Sequence, residues 1–295
     1  MKIEKILFHT NFRELAYNAL EAVMEIQKAG LKTVVLVHVI PREEVSFVPY
    51  GGYLKDEEER LAEIARTRFE NWQGAITDRG LNCKIRIETG NLNARILSVA
   101  EEEGADWIVT GKKKRSTFEK VYVGEHILDL LRRSPVPILM GKYLARYEFE
   151  GEVFTRVNDH PYDRPLLATD WSEPSERALE LLASFKGLSK KVLVTHVIGA
   201  KLSKGLESEA LDFLKIESRK RLEEYCRKLR DAGLEAEPLL SMGKTAAEIV
   251  RLSRSYSATM IAMGRTGKDW FQQYWLGGVS HRVAETSELP VLLVP

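Results

Sequence analysis

Cysteine is scarce in this sequence. The 295 residues include two, Cys83 and Cys226, far apart and in different halves. That excludes a disulfide framework, and no CxxC spacing exists for a thiol metal site or a redox pair. Long apolar runs are also missing. The longest, such as residues 33–40, have the length of a strand, far short of the ~20 residues that span a bilayer. The N-terminal stretch MKIEKILFHTNF has no apolar core of signal-peptide length, so the expected location is cytoplasmic. Net charge is nearly absent: 44 Lys and Arg against 43 Asp and Glu leave +1. Neither half is a basic arm or an acidic tail, and the one strong basic run is Lys112-Lys113-Lys114-Arg115. Bulk electrostatics therefore point away from nucleic acid and from a membrane surface as partners.

What is present is ordinary for a globular protein: 44% hydrophobic and 29% charged residues. The length suits two domains, and an internal repeat supports that division. Residues 90–140 match 243–293 at a constant offset of 153, with Gly90, Ala94, Ile96, Ala105, Ile108, Gly111, Gly124 and Pro137 falling on Gly243, Ala247, Ile249, Ala258, Ile261, Gly264, Gly277 and Pro290. At the first strand the offset is 159, which sets Asn11 on Asp170.

Each copy alternates apolar runs with stretches of helical period. Strands are expected near 3–9, 33–39, 83–88, 106–110 and 136–140, and again near 165–169, 191–197, 235–240, 259–263 and 290–294. Continuous Val, Ile and Leu runs mark strands buried on both faces of a parallel sheet. Helices are expected at 12–28, 56–78, 173–185 and 207–231, the long charged ones as solvated covers of the sheet. The fold class is α/β: two doubly wound, five-stranded, parallel-sheet domains in tandem, of Rossmann-like type. The expected boundaries are 1–142, a connection at 143–163, and 164–295. Glu148–Val157 in the connection is a candidate extra strand pair.

Three features of the second copy converge. Thr169-Asp170 closes its first strand, and open parallel sheets bind ligands beyond the carboxyl ends of their strands. A carboxylate there accepts hydrogen bonds from a ribose or base, or ligates Mg²⁺. Equally, Asp170 can simply cap the next helix. The fourth strand runs into Met263-Gly264-Arg265-Thr266-Gly267, then nine residues, then Gly277-Gly278-Val279-Ser280. Glycines admit phosphate oxygens to backbone N–H groups, and the free N–H groups of a helix opening at Gly277–Ser280 suit an anion. Arg265 and Lys268 add cations, and Ser280 adds a hydroxyl. Finally, the backbone of His196-Val197, ending the second strand, can read an adenine edge. His196 and its counterpart His38 lack a second ligand at metal spacing and are read as packing residues.

These residues resemble the ATP-binding branch of the universal stress protein family, with two such domains covering nearly the whole chain. The family pattern Gly-x2-Gly-x9-Gly is met by Gly264, Gly267 and Gly277, followed by Val279-Ser280 and a closing Pro290-Val291 strand. The resemblance implies an adenine nucleotide alpha hydrolase-like fold. It also implies a site for ATP or AMP, with or without Mg, formed by Thr169, Asp170, Val197, Met263, Gly264, Arg265, Gly267, Gly277, Gly278, Val279 and Ser280. Gly278 departs from the family, which has Ser or Thr there, so triphosphate binding is expected to be weaker than adenine recognition. It further implies a regulatory protein of the stress response acting through protein partners. The last strands of the two copies are expected to pair within the chain as a pseudo-dimer, with a homodimer as an extension.

The first copy keeps the frame and loses the chemistry. Asn11 replaces the aspartate, Lys114 the middle glycine, and Glu125 stands where a phosphate would be held. Two rivals to the regulatory reading are a slow Mg-dependent ATPase built on Asp170 and a scaffold that binds no nucleotide. No GxxxxGK[ST] loop, SGGxD-type loop or nucleophile–His–acid set supports an enzyme. The aromatic group Trp270, Phe271, Tyr274 and Trp275 is read as packing residues of the nine-residue loop.

Overall fold

The computed structural model describes residues 3–12, 16–47, 52–111, 125–142, 144–149, 152–157, 160–205, 207–266 and 278–295. They separate into two compact units, one built on Ile3–Gly111 with Gly124–Ile138 and the other on Leu139–Pro295.

The first unit runs β1 (Lys5–His9), α1 (Ala16–Met24) extended by a 3-10 turn at Glu25–Ala29, β2 (Thr33–Pro41), a short α2 (Arg42–Val45) and a small hairpin, β3 (Ser46–Phe47) with β4 (Gly52–Tyr53). Then come α3 (Lys55–Asp78), β5 (Asn82–Gly90), α4 (Leu92–Glu103), β6 (Trp107–Gly111) and α5 (Glu125–Arg133), and β7 (Ile138–Gly141) follows at the division, with only Ile138 in this unit. β5, β2, β1 and β6 lie in that order, all parallel, with Lys5 opposite Thr33 and Ile6 opposite Trp107. β1 is pinned at its start by Asp106, whose carboxylate accepts the N–H groups of Glu4 and Lys5, each at 2.8 Å. α4 is bounded by two local signals: the Asn91 side chain accepts the Ala94 N–H at 3.1 Å, and Gly104 closes the helix in the left-handed region.

The second unit adds an antiparallel hairpin, β8 (Leu144–Phe149) with β9 (Glu152–Val157), at the candidate strand pair named above. It continues with β10 (Pro165–Ala168), α6 (Glu173–Ala183), β11 (Lys191–Gly199), α7 (Ala200–Gly205), α8 (Ser208–Asp231), β12 (Glu235–Gly243), α9 (Thr245–Ser255), β13 (Met260–Gly264), α10 (Gly278–Thr286) and β14 (Val291–Val294). The order β12-β11-β10-β13-β14 is wholly parallel. Its reversal at β10 makes the β10/β13 gap the switch point of the sheet.

The expected α/β class and parallel sheets are therefore present, and all the expected strands form. One expectation is corrected. Central strands such as β2, β10 and β13 are almost wholly buried, but the edge strands β5 and β12 are half-exposed along much of their length. An edge strand has a neighbour on one side only, and charged residues such as Lys84, Glu235 and Glu237 discourage further pairing there.

Candidate functional site

The site is built at the carboxyl ends of β10, β11 and β13. β10 delivers Thr169 and Asp170. The Thr169 N–H extends the ladder by one bond, to the Thr195 carbonyl at 2.9 Å, and the chain then leaves the sheet. Backbone groups alternate sides along a strand. The Val197 peptide therefore points the same way as that of Thr195, past the end of β10. This places the Val197 edge beside the switch point, as the sequence suggests. The Val197 side chain is buried, as are Met263 at the end of β13 and Ala168 paired with it on β10, so the side chains at these strand ends are apolar.

Asp170 has a structural task here. Its Oδ1 accepts the Ser172 N–H at 3.1 Å and the Ser172 hydroxyl at 2.5 Å, and Ser172 is the N-cap of α6. This is a turn ahead of α6 and not the helix cap that the sequence leaves open for Asp170, since Ser172 holds the N-cap position and no side-chain cap bond forms there. It leaves the carboxylate half-exposed at the crevice, where it can serve a ligand as well. Thr169 is locked from both sides: its Oγ1 accepts the Trp171 N–H at 3.0 Å and lies 3.0 Å from the Ser175 hydroxyl.

Gly264 ends β13, and the structure gives it a packing role. A Cβ built there would lie 2.8 Å from Pro174 Cβ and 3.0 Å from the Ser175 backbone N. The first turn of α6 therefore rests on the bare backbone of Gly264. Arg265 follows, half-buried. Its N–H donates to the Val294 carbonyl at 2.7 Å, and its own carbonyl accepts the Ser280 hydroxyl at 2.7 Å. Burial and, second, the neighbouring Arg177 guanidinium pull the Arg265 pKa down. An anion placed nearby acts in the opposite sense. Ser280 is buried and its hydroxyl binds protein backbone, not open space as the sequence suggests, because the first turn of α10 folds it under the strand end.

Among the described residues, nothing covers the start of α10. Gly278 and Val279 are exposed, and a Cβ on Gly278 would have no atom within 4 Å. An N-terminus with that much room fits an anionic group of phosphate size. Gly267, Lys268, Gly277 and the aromatic group Trp270 to Trp275 lie outside the described residues. So do Lys112–Arg115 and Gly124 of the first copy and the side chain of Glu125. Among the described residues no cluster of three or more His, Cys, Asp or Glu is placed to hold a metal ion, so Asp170 would be one protein ligand of a magnesium otherwise held by phosphate and water. No described helix is long and apolar enough to cross a membrane.

One element of the site escaped the sequence reading. Trp171 has φ 66°, a left-handed backbone that bulky residues rarely adopt. Its ring lies 4.8 Å from that of His196 and 5.1 Å from Tyr225, under the Arg221 guanidinium at 4.7 Å. His196 Nδ1 donates to the Thr169 carbonyl at 2.8 Å, consistent with a packing role. The first copy repeats the arrangement: Phe12 has φ 54°, with His38 at 4.9 Å and Arg68 at 5.2 Å, and His38 Nδ1 donates to Thr10 O at 2.9 Å. The aromatics at 12 and 171, at the offset of the first strand, were the available signal.

A twice-repeated parallel sheet with a crevice at its switch point defines the class: tandem doubly wound α/β proteins of the kind that bind small ligands at strand ends. The family follows from comparison. The model of the universal stress protein family matches residues 2–142 and again 161–295, and the chain belongs to that family. It is 28% identical over 153 residues to the universal stress protein MJ0577 of Methanocaldococcus jannaschii, covering 47% of this chain and 94% of the relative. It is 27% identical over 146 residues to the universal stress protein YxiE of Bacillus subtilis, covering 45% and 99%. The solved structure of a universal stress protein from Archaeoglobus fulgidus DSM 4304 matches the fold with a TM-score of 0.72 at 20% identity, over 99% of this chain and 96% of that one.

Proposed function

We propose that the second unit binds one adenine nucleotide, ATP or AMP, with Mg as an accessory to the triphosphate. Occupancy would then alter how the protein meets protein partners in a stress response. One observation carries the reading. The motif residues that the structure describes stand together at the β10/β13 switch point, with Asp170 and the Val197 backbone on one side and the open N-terminus of α10 on the other. The buried Val197, Met263 and Ala168 side chains suit a purine, and the N–H groups at Gly278–Ser280 suit phosphate. The glycine spacing Gly264, Gly267, Gly277 supports the same ligand through the family resemblance.

A second reading, a scaffold without nucleotide, gains from one finding: Asp170 and Ser280 already hydrogen-bond within the protein. Titration calorimetry with ATP and AMP separates the two. The proposal expects one site per chain, and Gly278→Ser, which restores a hydroxyl where there is open space, is expected to tighten ATP about tenfold, the worth of one hydrogen bond to a charged group. No binding of either nucleotide by the folded chain, together with no ligand released from the purified protein, would establish the scaffold.

A further inference from the structure

α3 and α8 are the same helix in the two copies, each 24 residues long and offset by 153. Their buried faces correspond: Ala65, Phe69 and Ile76 in one, Ser218, Leu222 and Leu229 in the other. Their outer faces differ. Arg60 and Glu63 on α3 are exposed and pair with Glu57 and Arg66 within the helix. The same positions on α8 are Phe213 and Ile216, which are 67% and 62% exposed. The fold does not need apolar residues there, since the other copy builds the helix with charges. Two large apolar side chains one turn apart in water mark a contact surface.

Charge indicates what covers it. Along this face of α8 the sequence runs Glu209, Phe213, Ile216, Lys220, at spacings of four, three and four residues. All four are exposed. Some charges of α8 find partners within the chain, as in Lys215–Asp212, Lys228–Glu176 and Arg230–Glu223, while Glu209 and Lys220, like Glu217 and Arg219, form no ion pair with another described residue and are available to a partner. The four-residue stripe is complementary to itself when reversed. Antiparallel pairing about a two-fold axis through the middle of the stripe sets Phe213 against the partner's Ile216, and Glu209 against the partner's Lys220. Such isologous self-complementarity is the signature of a two-fold contact.

We propose that the N-terminal half of α8 is a contact between two copies of this chain, packed antiparallel through Phe213 and Ile216 and set in register by Glu209 and Lys220. The apolar patch is small beside the ~1,600 Å² of a standard interface, so the dimer is weak and depends on concentration. Sedimentation equilibrium of the full chain from low to high micromolar concentration tests it. The wild type is expected to show a reversible monomer–dimer equilibrium. Phe213→Asp should raise the dissociation constant at least tenfold, with an unchanged circular dichroism spectrum because the side chain is exposed. Glu209→Lys should weaken the dimer about threefold, and Glu209→Lys combined with Lys220→Glu should restore it. A chain that stays monomeric throughout, a dimer indifferent to Phe213→Asp, or a charge swap that fails to restore association would each overturn the proposal.

Discussion

Gly264 and Gly278 belong to the same glycine-rich stretch, and the structure assigns them opposite tolerances. A methyl group on Gly264 would meet Pro174 Cβ at 2.8 Å, Ser175 N at 3.0 Å and Pro174 C at 3.1 Å. Non-bonded carbons prefer about 3.5–4.0 Å, so the first turn of α6 must retreat by roughly 1 Å. That turn leads into a helix whose Ala178, Leu179, Leu181 and Leu182 are buried against the sheet. Overpacking of this kind costs about 1–3 kcal/mol. For a unit of this size, each 1 kcal/mol lowers Tm by about 2–4 °C. Gly264→Ala should therefore lower the unfolding temperature of the second unit by about 2–12 °C. It should also weaken nucleotide binding, because Asp170 and Thr169 are tied to the displaced turn through Ser172 and Ser175. Gly278→Ala, with nothing within 4 Å and no positive φ, should leave Tm unchanged or slightly raised. Differential scanning calorimetry of the full chain, resolving both units, measures both. A wild-type transition in Gly264→Ala, or an equal loss in Gly278→Ala, would refute the assignment of Gly264 to helix packing.

Three further outcomes follow from the same structure. Asp170→Ala should cost about 1 kcal/mol in urea unfolding by removing the acceptor of the Ser172 N–H and hydroxyl ahead of α6. Asp170→Asn should keep most of that stability and still weaken nucleotide binding in calorimetry, since one anionic acceptor is lost. His9, buried at the end of β1 with Nδ1 3.3 Å from Thr110 Oγ1, has its pKa pushed down to about 4, chiefly by burial and then by His38. The unfolded chain takes up that proton near pH 6.5. The contribution of neutral His9 is therefore complete above pH 6.5 and lost as pH falls toward 4, about 3 kcal/mol in all. Urea unfolding at pH 7, 5.5 and 4.5 should show a steeper loss in the wild type than in His9→Ala, the residue type that Ala168 supplies at the equivalent position of the second copy; parallel curves would contradict this.

Much of the frame was legible because its strands are buried on both faces. Runs such as Val34–Val37 and Val192–Val194 have no solvent side and read as unbroken apolar stretches. The edge strands read less clearly because one flank is solvated, and residues such as Glu235 and Glu237 interrupt the pattern. The positions of Thr169, Asp170, Val197, Met263 and Gly264 could be read from spacing, since topology alone brings strand ends together. Their local roles could not. The contact of Gly264 with Pro174 joins residues ninety apart in sequence, and the engagement of Asp170 with Ser172 depends on where the chain turns into α6. The exposed pair on α8 was hidden for the opposite reason: a charged helix reads as a solvated cover, and two apolar residues within it read as buried.

The internal repeat separates scaffold from site. Positions identical or alike in the two copies hold the chain: Thr10 and Thr169 accept the N–H two residues on, His38 and His196 close onto the strand end, and Arg68 and Arg221 lie over the strained aromatics. Several positions that differ lie at the ends of the strands. Where the second copy has Asp170, Ala168 and Met263, the first has Asn11, His9 and Thr110. The second crevice thus combines an apolar floor with a carboxylate at its rim, a pairing suited to a base stacked below and a sugar hydrogen-bonded at the edge. The first has buried polar groups on its floor, where a purine would have to displace or satisfy them. On the proposed reading, the same backbone frame would hold a nucleotide in one unit only, and the physical ground for the asymmetry would be these strand-end side chains as much as the phosphate loop.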